Sequence, residues 1–349
     1  AKNILANIHS LKNGEILIDQ VIANKPDYLI LSKKGLQPIV RKKKQPTREK
    51  GSLYFNPGHL VVKVNEIKII KGKFWIEYEF MKPLPHFDGE HIRMHDLNAT
   101  IKNASFIEDT IKGDVQVNVK ERSGFEIKKL VTNFRMTPEI MELDKLKLVT
   151  NKSSIGPYYA MHYKDFTNDF KHYISNVTMK AHFSNATIAS DDIAYFAPAL
   201  NSLHQKINTS FHFNGTVEAF EAKELVARYN NSFVSGNFSM QGIPEMRNTQ
   251  IRFKNVLAKT NYADLTNWIP SIGKIKNFPF ESLGDLNFKG DFNGTLYDFV
   301  TKGVIGTKMG LAETEIRLKL PANNEPTYEG ILNAYHFNAG KLFNIKTLG

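Results

Sequence analysis

The sequence predicts an all-β fold, mostly antiparallel, with a few short helices. Three observations predict it. Short stretches alternate apolar and polar residues, turn residues recur between them, and some segments return at fixed offsets. Residues 114–120 are apolar at every second position, and so are 73–80, 210–213, 237–240 and 315–320. Period two places the apolar side chains on one face of a pleated sheet and the polar ones on the other. The function is therefore expected in a long one-sided surface and not in a catalytic cluster.

Residues 1–50 read as N-terminal strands followed by a basic loop. The loop carries Arg41-Lys42-Lys43-Lys44, then Arg48 and Lys50, beside Pro38 and Pro46. The whole chain has a net charge of +11, which favours polyanionic partners such as anionic lipid headgroups or nucleic acid. Nucleic-acid binding would call for aromatics near the basic cluster, and none is there. Lys63, Lys68, Lys71 and Lys73 are interleaved with strand residues and read as a solvated polar face.

Residues 51–160 read as a first set of strand repeats. Phe55-Asn56-Pro57-Gly58-His59-Leu60 is echoed 32 residues later by Phe87-Asp88-Gly89-Glu90-His91-Ile92. Each copy is expected to be a turn followed by two strands. Residues 161–210 read as helical insertions. Phe166, Phe170, Tyr173 and Ile174 have helical spacing, and so do Ile193, Phe196, Leu200 and Leu203 in a helix over 191–206 that Ser190 or Asp191 would cap. Pro198 would kink or end it.

Residues 211–349 read as further strand repeats. Phe213-Asn214-Gly215-Thr216-Val217 returns 79 residues later as Phe292-Asn293-Gly294-Thr295-Leu296, and Phe220 returns as Phe299. Asn-Gly suits a two-residue hairpin turn. A third short helix is expected over 261–272, with Leu265, Trp268 and Ile269 on one face. Repeated hairpins without large loops describe one continuous, extended array in which each unit buries its apolar face against its neighbours.

The chain has no cysteine, which excludes disulfides, thiolate metal sites and cysteine nucleophiles. It has no apolar run near the ~20 residues of a membrane span. It does not begin with Met, and it reads as an internal fragment of a longer protein.

The densest set of possible metal ligands is His86, Asp88, Glu90, His91, His95 and Asp96; these read as turn residues, and no metal or other cofactor is expected. No Gly-x-Ser-x-Gly elbow is present. Gly284, Gly290, Gly303, Gly306 and Gly310 lack the strand–turn–helix context of a phosphate loop. The chain is not expected to be an enzyme. Asn-x-Ser/Thr triplets are frequent, at Asn98, Asn103, Asn151, Asn176, Asn185, Asn208, Asn214, Asn230, Asn237 and Asn293; they read as polar-face and turn residues in place of glycosylation sites.

Three stretches resemble the AsmA/TamB superfamily, in particular TamB-like (translocation and assembly module) proteins of Bacteroidetes type. The first is residues 120–130 (Lys-Glu-Arg-Ser-Gly-Phe-Glu-Ile-Lys-Lys-Leu) with residues 141–150 and 153–155. The second is residues 192–200, around Tyr195-Phe196-Ala197-Pro198. The third is residues 283–295 with Asp298 and Phe299. The resemblance covers roughly residues 55–320; residues 1–50 match weakly.

It implies an elongated, curved, U-shaped β-groove with an apolar inside, in a periplasmic protein anchored to the inner membrane by a segment outside this fragment. Such a groove is expected to move phospholipid between the inner and outer membranes for outer-membrane biogenesis. An alternative is a platform for assembly of outer-membrane β-barrel proteins with a BamA-like partner. A second alternative is a secreted carbohydrate-binding or adhesin β-sandwich. No nucleic acid is expected as a partner.

The expected lining for phospholipid acyl chains is the apolar parity set: Leu60, Val62, Val64, Phe74, Ile76, Tyr78, Val115, Val117, Val119, Phe211, Phe213, Phe238, Met240, Ile251, Phe253, Leu286, Phe288, Ile316 and Leu318. A bulge reverses the parity that follows it, so some of these are expected to move. Periodicity alone does not separate a closed sandwich core from an open apolar trough.

Overall fold

A computed structural model describes residues 3–12, 14–32, 55–243, 245, 247–268, 278–319 and 327–345. The basic cluster at residues 41–50, and Ile269 and Pro270, lie outside them. The strands are β1 (Asn3–Lys12), β2 (Glu15–Asn24), β3 (Asp27–Ser32), β4 (Val61–Tyr78), β5 (Arg93–Ile107), β6 (Thr110–Glu121), β7 (Glu126–Met136), β8 (Ile140–Val149), β9 (Ser154–Ile155) and β10 (Pro157–His162). Helices α1 (Phe166–Lys171) and α2 (Tyr173–Asn176) precede β11 (Thr178–Ala189) and α3 (Ser190–Ala194). Then come β12 (Lys206–Gly215), β13 (Ala219–Tyr229), β14 (Ser232–Gln241), β15 (Gln250–Thr260), α4 (Tyr262–Trp268), β16 (Leu286–Gly294), β17 (Asp298–Thr307), β18 (Gly310–Lys319), β19 (Thr327–Tyr335) and α5 (Ala339–Phe343). The nineteen strands belong to one mixed, mostly antiparallel sheet, as the alternating pattern predicts.

The chain divides into two compact units: residues 1–169 with 186–205, and residues 170–185 with 206–349. In the first unit β1 pairs antiparallel with β2, while β2 and β3 lie in line along β4 and pair parallel with it. From β4 onward each strand pairs antiparallel with the next as far as β9, and β10 also pairs with β8. In the second unit β12 to β19 form an unbroken antiparallel meander.

Several expectations are corrected. The strands are longer than the average strand of five or six residues, with 18 residues in β4 and 15 in β5. The two copies of the 32-residue echo are turns headed by Asn56 and Asp88, and each leads into one long strand, β4 or β5, not two. The helix expected over 191–206 stops after five residues; Pro198 opens a separate 3-10 turn, and Lys206 already lies in β12. Ala189 occupies its N-cap, so neither Ser190 nor Asp191 caps it. The helical stretch 161–210 also contains β11, twelve residues long.

The 79-residue echo is a hairpin, but Asn-Gly is not its turn. Gly215 and Gly294 are the last residues of β12 and β16, and the loops are residues 216–218 and 295–297. The two loops are built alike: Thr216 and Thr295 donate their N–H to Ala219 and Asp298 at 2.9 and 2.8 Å, and their hydroxyls accept the N–H of the same residues at 3.1 and 3.0 Å. Gly215 and Gly294 have φ of 139° and 146°, and a Cβ on either would sit 2.5 Å from the Cα of Phe220 or Phe299. The backbone of the partner strand lies where a side chain on either glycine would go, so both positions require glycine.

Long strands stay on one course here by inserting bulges. Lys71, Asn185, Glu224 and Asn255 have φ of 50–54°, and the amide of each donates to a side-chain oxygen on the next strand: Asn98, Ser210, Asn237 and Asp291, at 2.8–3.1 Å. A bulge bends its strand, increases the local twist and shifts the facing of the residues beyond it.

Candidate functional site

Each unit has one apolar sheet face, and the ladder register shows which side chains share it. In the first unit a row runs straight across seven strands, with Ala23 opposite Ile69, Ile69 opposite Ala99, then Val117, Leu130, Leu148 and Ile155. A second row joins Val21, Ile67, Ile101, Val115 and Thr132. Val62 stands opposite Ile16 and Phe106, Val64 opposite Ile18 and Ala104, and Val119 opposite Ile127. Phe74 stands between Tyr28 and Met94, stacked on Tyr28 at 5.8 Å, while Ile76 faces Ile30 and Tyr78 faces Ser32. Leu60 is not part of this face. It lies in the turn before β4, exposed, with its N–H and C=O both bonded to the Asn56 side chain.

The second unit presents a lane of phenylalanines. Phe213 packs on Phe220 (4.9 Å between ring centres), Phe220 on Phe238 (6.1 Å) and Phe238 on Phe253 (5.5 Å). Phe253 stands directly opposite Phe292, which packs on Phe299 at 4.8 Å, and Leu318 and Tyr328 continue the register to β19. Four of the six rings come from the two copies of the 79-residue echo, so the sequence repeat builds the lane. Met240, Ile251 and Ile316 lie on the same face, beside the lane. Leu286 and Phe288 continue it along β16, with Phe288 packed over Gly290 and Gly303. Phe211 meets Phe183 edge-on at 5.3 Å.

Burial distinguishes this face from a closed core. Among the described residues no phenylalanine is fully buried, and the largest side chains below 2% exposure are Val177 and Thr249. Val64 and Val119 are buried, and the other expected lining residues on strands are half-buried. Interdigitated sheets of a sandwich would enclose such rings between two inner faces.

The polar face is a different surface. Arg317 with Asp298 (2.7 Å) and Lys302 with Glu315 (2.9 Å) form exposed ion pairs of the kind that add little stability. Arg317 holds Asp298 below the usual carboxylate range. In the first unit Tyr158 donates to Glu142 at 2.8 Å, and burial together with that carboxylate pushes the phenol up to about 12.

Two buried carboxylates, not anticipated from the sequence, tie short helices to hairpin tips. Asp264 in α4 accepts from Ser232 Oγ (2.7 Å), Asn230 Nδ2 (3.1 Å), the Asn231 amide (3.2 Å) and Asn261 Nδ2 (3.3 Å). Burial pushes its carboxyl up, but those donors outweigh it and the net shift is downward. In the first unit Asp192 in α3 accepts from the Thr150 hydroxyl and from the Lys152 amide at 3.0 Å. The signal in the sequence is faint: an Asp near a helix start, and a hydroxyl residue at an earlier hairpin tip.

Of the possible metal ligands, Asp88 and His91 form a buried pair, 2.9 Å from Asp88 Oδ2 to His91 Nδ1. His91 Nε2 lies 3.2 and 3.1 Å from the carbonyls of Tyr78 and Met81. Both ring nitrogens face acceptors, an arrangement that favours the doubly protonated ring. Burial pulls its pKa down, and the Asp88 carboxylate and the two carbonyls more than reverse that. His95 and Asp96 pair separately on the surface. Among the described residues no three His, Asp or Glu side chains converge on a metal position, and no helix is long and apolar enough to cross a membrane.

Comparison of the chain with family models, curated proteins and solved structures finds no match.

Proposed function

We propose that the apolar faces bind the acyl chains of phospholipids and that the protein conducts lipid between the inner and outer membranes of a cell envelope. The observation that carries this reading is the phenylalanine lane from Phe213 to Phe299, continuous over six strands and only half-buried. Water contact costs about 0.8 kcal/mol per methylene, so an acyl chain of ~16 carbons gains on the order of 12 kcal/mol by leaving water. A lane of similar rings offers nearly equal energy at successive positions, so a chain slides along it without chemistry. The headgroup stays wet at the rim. The resemblance of residues 55–320 to the AsmA/TamB superfamily supports the same reading, with a periplasmic location and an anchor elsewhere in the protein.

Native mass spectrometry of the gently purified chain tests it. The expected result is co-purified phospholipid, lost in Val117→Asp and Phe253→Asp while expression and circular dichroism are kept. A lipid-free mass for the unaltered chain, or normal lipid loading in both variants, would overturn the reading. A platform for barrel assembly would instead capture extended strands at sheet edges, and β19, exposed at every residue, supplies such an edge.

A further inference from the structure

At the end of β4 the apolar face does not stop. Phe74, Ile76 and Tyr78 lead along the strand into Phe80, whose ring meets Tyr78 edge-on at 5.8 Å. Phe80, Met81 and Leu84 then stand 51%, 47% and 48% exposed on a short loop containing Pro83 and Pro85. Three large apolar side chains close together on one exposed loop mark a candidate interaction site.

The loop is held in place by dedicated polar groups. His91 donates to the carbonyls of Tyr78 and Met81. Asp88, held by His91, accepts the Leu84 amide at 3.0 Å. Arg122 donates to the Leu84 and His86 carbonyls at 3.0 and 3.4 Å. This network holds the loop backbone while Phe80, Met81 and Leu84 stay about half exposed.

We propose that residues 80–84 are a membrane-docking loop: Phe80, Met81 and Leu84 insert into the interface of a lipid bilayer and place the β4 end of the first unit's apolar face against the acyl region. The proposal rests on the reading of that face as a lipid path, and it adds where lipid enters or leaves. A bilayer is the occupant that fits. The exposed residues are apolar with Lys82 among them, the apolar face behind them is continuous with them, and the chain's charge of +11 draws it to an anionic surface. Interfacial segments combine these same features.

The absence of cysteine gives a direct test, because Met81→Cys carries one environment-sensitive fluorophore without background labelling. The probe is vesicles of phosphatidylcholine mixed with phosphatidylglycerol, and the expected result is a blue-shifted, brighter emission on mixing. A label at Val304→Cys, exposed in the second unit, should not respond. Replacing Phe80, Met81 and Leu84 together by Ser should weaken vesicle binding by at least about tenfold, since each insertion transfers a large apolar side chain out of water.

No response at position 81, an equal response at 304, or unchanged binding by the triple variant would overturn the proposal. The two readings fail separately. The triple variant should keep its co-purified lipid, whereas Phe253→Asp should lose lipid and leave the response at 81 intact. Lipid co-purifying with no response at 81 would end the docking proposal alone. A response at 81 with no lipid co-purifying supports docking and ends the lipid-path reading.

Discussion

The amide of Asn255 donates to the Asp291 carboxylate at 2.8 Å, across from β15 to β16, at a point where Asn255 has φ of 54°. The bond accounts for an amide that the ladder cannot use, because the bulge between Phe253 and Val256 interrupts the pairing. It also keeps Phe253 and Val256 on the same face despite their odd separation. Asp291→Ala should lower stability by about 1 kcal/mol, the usual net value of one such hydrogen bond. Asn255→Val should cost about 1–2 kcal/mol because a β-branched residue resists the left-handed conformation. Urea denaturation reads both, and Asn255→Gly should be near neutral. A neutral Asn255→Val would mean that the bulge relaxes.

This bulge also shows what the sequence could reveal. Strict alternation places Phe238, Met240, Leu286, Phe288, Ile316 and Leu318 on one face, along runs whose ladders are regular. It misses Ile67, Ile69, Ile101 and Leu148, because β4, β5 and β8 change facing near Asn65, Lys71, Asn103 and Lys145, where one residue adopts a left-handed conformation or the ladder skips. Asparagine tolerates that conformation better than most residues. Asn103, Asn185, Asn230 and Asn255 have positive φ, and Asn98 and Asn237 accept bulge amides. Four of the Asn-x-Ser/Thr triplets, at Asn98, Asn103, Asn185 and Asn237, therefore fall at bulges. Leu60 lies off this face for another reason: the Asn56 side chain closes a turn around it before β4 starts.

Gly294 faces Phe299 in a pair where any side chain on the glycine meets the Asp298 carbonyl at 2.3 Å. Gly294→Ala should therefore destabilise the second unit by about 2 kcal/mol or more, as steric insertion at a strained position does. Phe299→Ala should also destabilise, since it removes a ring that packs on Phe292 in the lane. The coupling is testable in a double-mutant cycle: the two changes should be less than additive, because displacement of the Phe299 ring is common to both. Additive costs would separate the glycine from the lane.

Asp264 serves the placement of α4. Four donors converge on one buried carboxylate, and three of them come from the β13–β14 hairpin tip at Asn230, Asn231 and Ser232. Asp264→Ala leaves those donors unmatched and should cost about 3 kcal/mol. Asp264→Asn keeps the shape but turns part of the acceptor into a donor, and should recover less than half of the loss. Hydrogen exchange should show the tip amide of Asn231 exchanging faster in both variants. Unchanged exchange would place the role of Asp264 elsewhere.

The Asp88–His91 pair makes the loop before β5 sensitive to pH, and the sign follows from the two shifts. His91 is raised above its ordinary value of 6.5, so its contribution is fully present below that value and fades as pH rises through the higher folded value. Asp88 is lowered: burial pushes it up, but the Leu84 and Glu90 amides and His91 outweigh that. Its contribution is present above its ordinary 3.8 and fades as pH falls through the lower folded value. The pair therefore stabilises most between about pH 4 and 6.5. Comparison of His91→Gln with the unaltered chain isolates the effect, because other titrating groups cancel. The difference in melting temperature should be largest near pH 5.5 and shrink by pH 9, and the amides of Met81 and Leu84 should lose exchange protection over the same range. A difference that grows with pH would show that the folded ring is neutral, with only one of its nitrogens donating.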